Sequence, residues 1–284
     1  MPITGKIQFL QLENLSSIAF TDSGDKTKPC LLFLHGLANY HAVWQPAIDI
    51  LQQSFRCIAI DLPGHGNSAL NTQTYGIDYY SKCIQECIGK LGLRQFSIVG
   101  HSMGGHIALY LALQKVKGLH KLLLLASSGI ERFTPAEANF IKAGLPYANM
   151  FAGDEMQLMN SIQGSLFKPH PYAQKIFDSL WQMVQQQDRL LYRQMIQDSI
   201  YSMLDTPVFE QLQSLAYSTL LVFGEKDPII PNPFVHTLST THIAELAAKE
   251  IPIVQLIMLK ECGHFVQIEK TLEVVKVIRD FMNK

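Results

Sequence analysis

Ser102 sits at the centre of Gly100-His101-Ser102-Met103-Gly104, in FSIVGHSMGGHIALYLAL, with an apolar run before it and an amphipathic run after it. A serine with glycine two residues to either side, between a strand and a helix, has the pattern of a nucleophile elbow. The glycines let strand and helix approach through a sharp, strained turn that leaves the hydroxyl exposed. The chemistry open to such a hydroxyl is attack at an acyl carbon. A serine is a poor nucleophile until a base takes its proton, so the spacing needs a histidine and a carboxylate to go with it. Both follow later in the chain. Asp227 and Glu225 come after LLVFG in the segment GEKDPIIP, and His264 comes after IVQLIML in KECGHFVQIE. Each stands at the carboxyl end of a strand-like run, where open α/β sheets carry functional groups. Ser102 would then attack, His264 would take its proton and return it to the leaving group, and a carboxylate would fix the imidazole tautomer and stabilise the imidazolium.

The elements that must position these residues are legible as hydrophobic runs. IQFLQL and SSIAF around ENL read as an antiparallel hairpin. Beyond Pro29, short apolar runs at Cys30 to Leu34, Cys57 to Ile60, Phe96 to Val99, Lys121 to Ala126, Leu220 to Phe223 and Ile253 to Leu259 alternate with longer amphipathic segments. That alternation predicts βαβ units around a parallel sheet, with strands covered on both faces. It stops after Ser128 and resumes near Ser218. Residues 129–217 read as helices only, an inserted helical cap on a core formed by residues 1–128 and 218–284. Within the cap, Ile176, Phe177, Leu180, Trp181 and Val184 recur at helical spacing as one buried stripe. Met150, Met156, Met159, Met183, Met195 and Met203 also fall there, as cap core or as the lining of a pliable acyl pocket.

Composition excludes several function classes. The chain has 284 residues, 48% of them hydrophobic and 17% charged, enough for a full-sized core and unlike a disordered protein. Its 23 basic and 24 acidic residues leave a formal charge of −1 with no like-charged run, so no nucleic-acid or anionic-membrane patch is expected. Apolar runs such as Leu122 to Ala126 are too short to span a bilayer. The first residues lack the pattern of a signal peptide and read as mature protein. The odd set of five cysteines, Cys30, Cys57, Cys83, Cys87 and Cys262, contains no CxxC pair, which points to neither disulfides nor zinc and suits a reducing cytoplasm. Cys30, Cys57, Cys83 and Cys87 read as packing residues, and Cys262 as a loop thiol. No HExxH or GxGxxG spacing occurs around Ser102, so neither metal nor organic cofactor is expected. Oligomeric state is not legible.

LHGLANYHAVW, DLPGHGNS, GHSMGG, GEKDP and ECGHF resemble the landmarks of the α/β-hydrolase superfamily, in that family's order and across residues 30–284. The order serine, acid, histidine is also the one that family uses. The resemblance implies an α/β fold with a mostly parallel, doubly wound sheet and a serine nucleophile. It favours Asp227 over Glu225 as the acid, because GxxDP looks like the family's acid loop. It further implies an oxyanion hole made by the backbone N–H groups of Leu37, in His35-Gly36-Leu37, and of Met103. His35, His65, His101 and Asp61 lie inside these landmarks and read as organisers of tight turns, while His106 reads as structural or exposed.

A serine nucleophile argues against the aspartate-dependent epoxide hydrolases and haloalkane dehalogenases with similar landmarks. Esters, thioesters, lactones and C–C bonds of vinylogous diketones are all chemically open, since each reaction passes through an oxyanion. A carboxylesterase acting on small or medium acyl esters leads. C–C hydrolases commonly carry a tryptophan after the histidine, where this chain has Phe265. A menaquinone-pathway lyase with the same triad resembles DLPGHGNS and SMGG, but its arginine after SMGG corresponds here to His106. A hydrolase-like binding protein without turnover is the alternative of a different class.

Overall fold

The computed structural model describes residues 6–14, 16–144 and 154–284. β1 (Gln8–Gln11) and β2 (Ser17–Asp22) form the expected antiparallel hairpin, with Gln8 opposite Phe20. β3 (Cys30–Leu34), β4 (Arg56–Ile60), β5 (Phe96–His101), β6 (Leu119–Leu125), β7 (Ser218–Gly224) and β8 (Val254–Leu259) are parallel to their neighbours in that set. Among the described residues the strands make one sheet in the order β1-β2-β4-β3-β5-β6-β7-β8, with β2 antiparallel to β4. Every residue of β3, β4 and β5 is buried. Strands shielded on both faces need no polar alternation, which is why these runs are continuously apolar in sequence. β8 departs from that expectation: it is the edge strand, and Val254 to Met258 are only half-buried.

The helices fall between and after the strands. In chain order they are α1 (Gln45–Leu51), α2 (Ile77–Lys90) and α3 (Met103–Leu113), then α4 (Pro135–Gly144), α5 (Glu155–Gly164), α6 (Pro171–Gln185) and α7 (Arg189–Asp205), then α8 (Thr240–Glu250), α9 (Val266–Glu269) and α10 (Thr271–Met282). α1 packs against α10 and α2 against α3. The four helices α4 to α7 lie between β6 and β7, followed by a 3-10 turn at Phe209–Ser214. None of the described helices is long and apolar enough to cross a membrane.

The segment between β6 and β7 has its own packed stripe and is tied to the rest of the molecule. α6 starts on Pro171, which needs no N–H at that position, and the His170 ring accepts the Tyr172 N–H. It buries Ala173, Ile176, Phe177, Leu180 and Val184. Trp181, expected in that stripe, lies at its margin, half-buried and packed against the core. Of the methionines in the segment, Met195 is fully buried, Met156 is exposed, and Met159, Met183 and Met203 are half-buried; Met150 lies outside the described residues. Four polar contacts anchor these helices: Ser199 to the Tyr80 hydroxyl at 2.7 Å, Ser202 Oγ to the Ile77 N–H at 2.9 Å, Thr206 O to the His106 ring N–H at 2.8 Å, and the Tyr172 hydroxyl to Ala42 O at 2.9 Å. Leu180→Ala removes a side chain that is 2% exposed and should lower the unfolding free energy in urea by about 2–5 kcal/mol, as for other buried leucines.

Candidate active site

Ser102 joins β5 to α3 with φ 52° and ψ −119°. A positive φ is strained for any residue with a Cβ and costs about 1–3 kcal/mol, so neighbouring contacts must hold it. They do so through the backbone. The Ser102 N–H donates to Leu125 O at 3.1 Å, and the Ser102 carbonyl accepts from the N–H groups of Gly105, His106 and Ser128 at 2.9, 3.2 and 3.1 Å. The glycines of the motif have a steric cause. A Cβ on Gly104 would run into the Leu34 carbonyl, and one on Gly100 would come within 2.5 Å of Gly104 O. Strand, elbow and helix therefore sit closer than side chains would permit.

The two expected donors, Met103 and Leu37, lie on segments that meet at Ser102. Met103 is the first residue of α3, where a helix makes no use of the N–H. Leu37 follows β3 in a loop that presses on the elbow, since a Cβ on Gly36 would lie 3.0 Å from Ser102 Cβ. That loop is braced by His35. Its Nδ1–H donates to Gly36 O at 2.7 Å, and its Nε2 accepts the Leu62 N–H at 2.9 Å.

His264 and Asp227 meet at the carboxyl ends of β8 and β7. His264 Nδ1 lies 2.8 Å from Asp227 Oδ2, and both side chains are buried. A carboxylate can only accept, so Nδ1 carries the hydrogen and Nε2 keeps its lone pair for a proton. The other Asp227 oxygen accepts the N–H groups of Ile229 and Ile230 at 2.8 and 3.1 Å. Glu225, the competing carboxylate, is half-buried and does not reach His264. Its N–H donates to Leu259 O at 2.9 Å, and the Lys226 N–H donates to Cys262 O at 2.9 Å, which laces the acid loop to the histidine loop. The His101 ring joins the two halves of the site: Nε2–H donates to the His264 carbonyl at 3.0 Å, with the two rings 4.8 Å apart.

The remaining polar residues of the landmarks are structural. Asp61 accepts from the His41 N–H and ring, at 2.6 and 2.8 Å, and from the Asn67 N–H at 2.9 Å. Burial works to raise its pKa, but His41 and Asn67 hold it below the usual carboxylate range. The Asp61–His41 pair was not legible in the sequence, because twenty residues of strand and helix separate the partners along the chain. Burial lowers the pKa of His35 to about 4, of His65 to about 3 and of His106 to about 4, and takes His101 well below the ordinary value. All five cysteines are free and buried, and burial raises the Cys262 pKa, which makes a reactive thiolate there unfavourable. A second pairing absent from the sequence reading joins Glu131, after β6, to the His236 ring at 2.6 Å and to the Asn232 N–H at 2.7 Å, which braces the loop beyond Asp227.

A strained serine between β5 and α3, with a buried aspartate and a histidine beyond later strands of one parallel sheet, defines a recognisable class. The chain belongs to the α/β hydrolase fold family, whose model matches residues 29–271. It is 28% identical over 276 residues to protein PHYLLO, chloroplastic, of Arabidopsis thaliana, which covers 89% of this chain and 15% of that much longer protein. It is 24% identical over 267 residues to the human monoacylglycerol lipase ABHD6, covering 90% of this chain and 75% of that one. Its fold superposes with a TM-score of 0.84 on a probable hydrolytic enzyme from Pseudomonas aeruginosa, at 20% identity, over 99% of this chain and 95% of the other. Family and relatives together support hydrolase activity.

Acid should loosen this fold in a predictable window. In the unfolded chain a histidine takes up a proton near pH 6.5, whereas His35, His65 and His106 resist it down to about 3–4 when folded. Protons therefore favour the unfolded chain, and the unfolding free energy measured in urea should decline as pH falls from about 6.5 towards 4. The ring signals of these histidines in NMR should stay those of neutral imidazole at pH 5.5.

Proposed function

We propose that this chain is a serine carboxylesterase acting on small or medium acyl esters, with Ser102, Asp227 and His264 as its triad. The observation that carries the reading is the 2.8 Å bond from His264 Nδ1–H to buried Asp227, in a chain that holds Ser102 at positive φ and bonds the neighbouring His101 ring to the His264 carbonyl. In this reading Ser102 Oγ attacks the ester carbonyl as His264 Nε2 takes its proton. The oxyanion of the tetrahedral intermediate accepts the Leu37 and Met103 N–H groups. His264 then protonates the departing alcohol, leaving an acyl-enzyme that a water, activated by the same ring, hydrolyses. Backbone donors of this kind act on charge that develops only in the transition state, and each is worth about 3–4 kcal/mol. The helices within residues 129–217 act as a cap that shapes the acyl site. The co-substrates are a small-molecule acyl ester and water, no cofactor takes part, and the buried free cysteines fit a cytoplasmic location.

His106 argues against the lyase reading. The position where that resemblance has an arginine holds a buried neutral imidazole already spent on Thr206 O, so it offers no cation to a carboxylate. Phe265 packs against the His101 ring with centroids 5.1 Å apart and planes tilted by 33°, which gives this residue a packing role beside the histidine.

A panel of p-nitrophenyl esters of rising acyl length should show turnover that Ser102→Ala abolishes, and a fluorophosphonate probe should label Ser102. Tight saturable ligand binding without labelling or turnover would instead identify a non-enzymatic binder. Asp227→Asn should leave the protein folded and lower kcat by roughly 10⁴-fold, since the imidazole then loses its anion and its tautomer.

A further inference from the structure

Glu269 closes α9, and nothing in the proposed mechanism uses it. Its two carboxylate oxygens reach two different parts of the chain. Oε1 accepts the N–H of Gly263, the residue before His264, at 3.0 Å. Oε2 accepts the N–H of Phe167, between α5 and α6, at 2.8 Å. Burial pushes this carboxyl above the usual range while those two N–H groups pull it down, so the group is half-buried and held by amides.

The same junction fixes the backbone of His264. Its N–H donates to Ser165 O at 2.8 Å, and its carbonyl accepts from the His101 ring. Gly263 is packed so closely that a Cβ would fall 2.6 Å from Phe167 N, 2.7 Å from Ser165 O and 2.9 Å from Glu269 Oε1. The segment 165–167 therefore forms one wall of the histidine loop, and Glu269 is the side chain that bonds wall and loop together.

We infer that Glu269 is a positioning residue that couples the helices between β6 and β7 to the orientation of the His264 imidazole. The inference rests on His264 being the catalytic base. A carboxylate bridging two amides removes two orphan donors at once and fixes the distance between the segments that carry them. Without it, Gly263 and Phe167 each leave an N–H without its acceptor, and the loop can rotate the ring away from Ser102. A displacement of about 1 Å at a reacting group can cost roughly a hundredfold in rate.

The test uses the full chain with Glu269→Gln and Glu269→Ala. Glutamine keeps the shape and one acceptor oxygen, so its kcat should fall by roughly tenfold, and that of alanine by roughly a hundredfold, with KM changed by less than about threefold. Fluorophosphonate labelling of Ser102 should slow in parallel. A readout independent of turnover is the downfield proton signal of His264 Nδ1–H, which should shift and exchange faster with solvent in Glu269→Gln. Should the alanine variant fail to fold, the glutamine variant decides. A folded Glu269→Gln protein with the parent kcat, labelling rate and downfield signal overturns the inference. Full activity in Ser102→Ala would overturn the triad instead, and the proton signal would still report on Glu269.

Discussion

The strained backbone of Ser102 is the constraint on which the rest of the site depends. A serine at φ 52° stays there only if the surroundings forbid relaxation. Four backbone hydrogen bonds grip its amide and carbonyl, and they come from β6, from α3 and from the turn after β6. Relaxing the elbow would break bonds in three places. The tight approach of Gly104 to Leu34 O and of Gly36 to Ser102 extends the same constraint to the loop after β3, so Ser102 and the segments carrying Leu37 and Met103 share one rigid frame.

Around that frame the histidines divide by environment. His35, His65, His101 and His106 are buried without a carboxylate hydrogen-bonded to the ring, and each bonds a backbone group through at least one ring nitrogen. Desolvation keeps them neutral, so they work as shape-setting hydrogen-bond groups. His264 differs in having a buried carboxylate at Nδ1. His41 also faces a buried carboxylate, but Asp61 divides its oxygens among His41 and Asn67 to organise a turn.

The helices between β6 and β7 are joined to the core by backbone and side-chain polar contacts at several points. Thr206 O meets His106 on the helix that begins at the elbow, and Ser165 O meets the His264 amide. Each contact satisfies a group that would otherwise be buried without a partner, at a cost of about 1–3 kcal/mol. The position of these helices and the shape of the loop that carries His264 are therefore set by the same bonds.

The six parallel strands, the hairpin and the placing of Ser102 and His264 after strands were legible in the sequence by itself. Local physics fixes all of these: doubly covered strands must be apolar throughout, and an elbow needs glycine where backbones touch. The carboxylate was not legible from spacing, since Glu225 and Asp227 are two residues apart in one turn, and the family resemblance alone favoured Asp227. Only the fold aims one of them at His264 and turns the other away. The burial of His106, the pairing of Asp61 with His41 and the bridge made by Glu269 were hidden for a related reason. A glutamate at the end of an amphipathic run reads as a solvated residue, and only the arrival of Phe167 from a distant part of the chain, beside nearby Gly263, gives its carboxylate two amides to bridge. Sequence determines what a segment can bury, whereas the partners of a buried polar group depend on which distant backbone is folded against it.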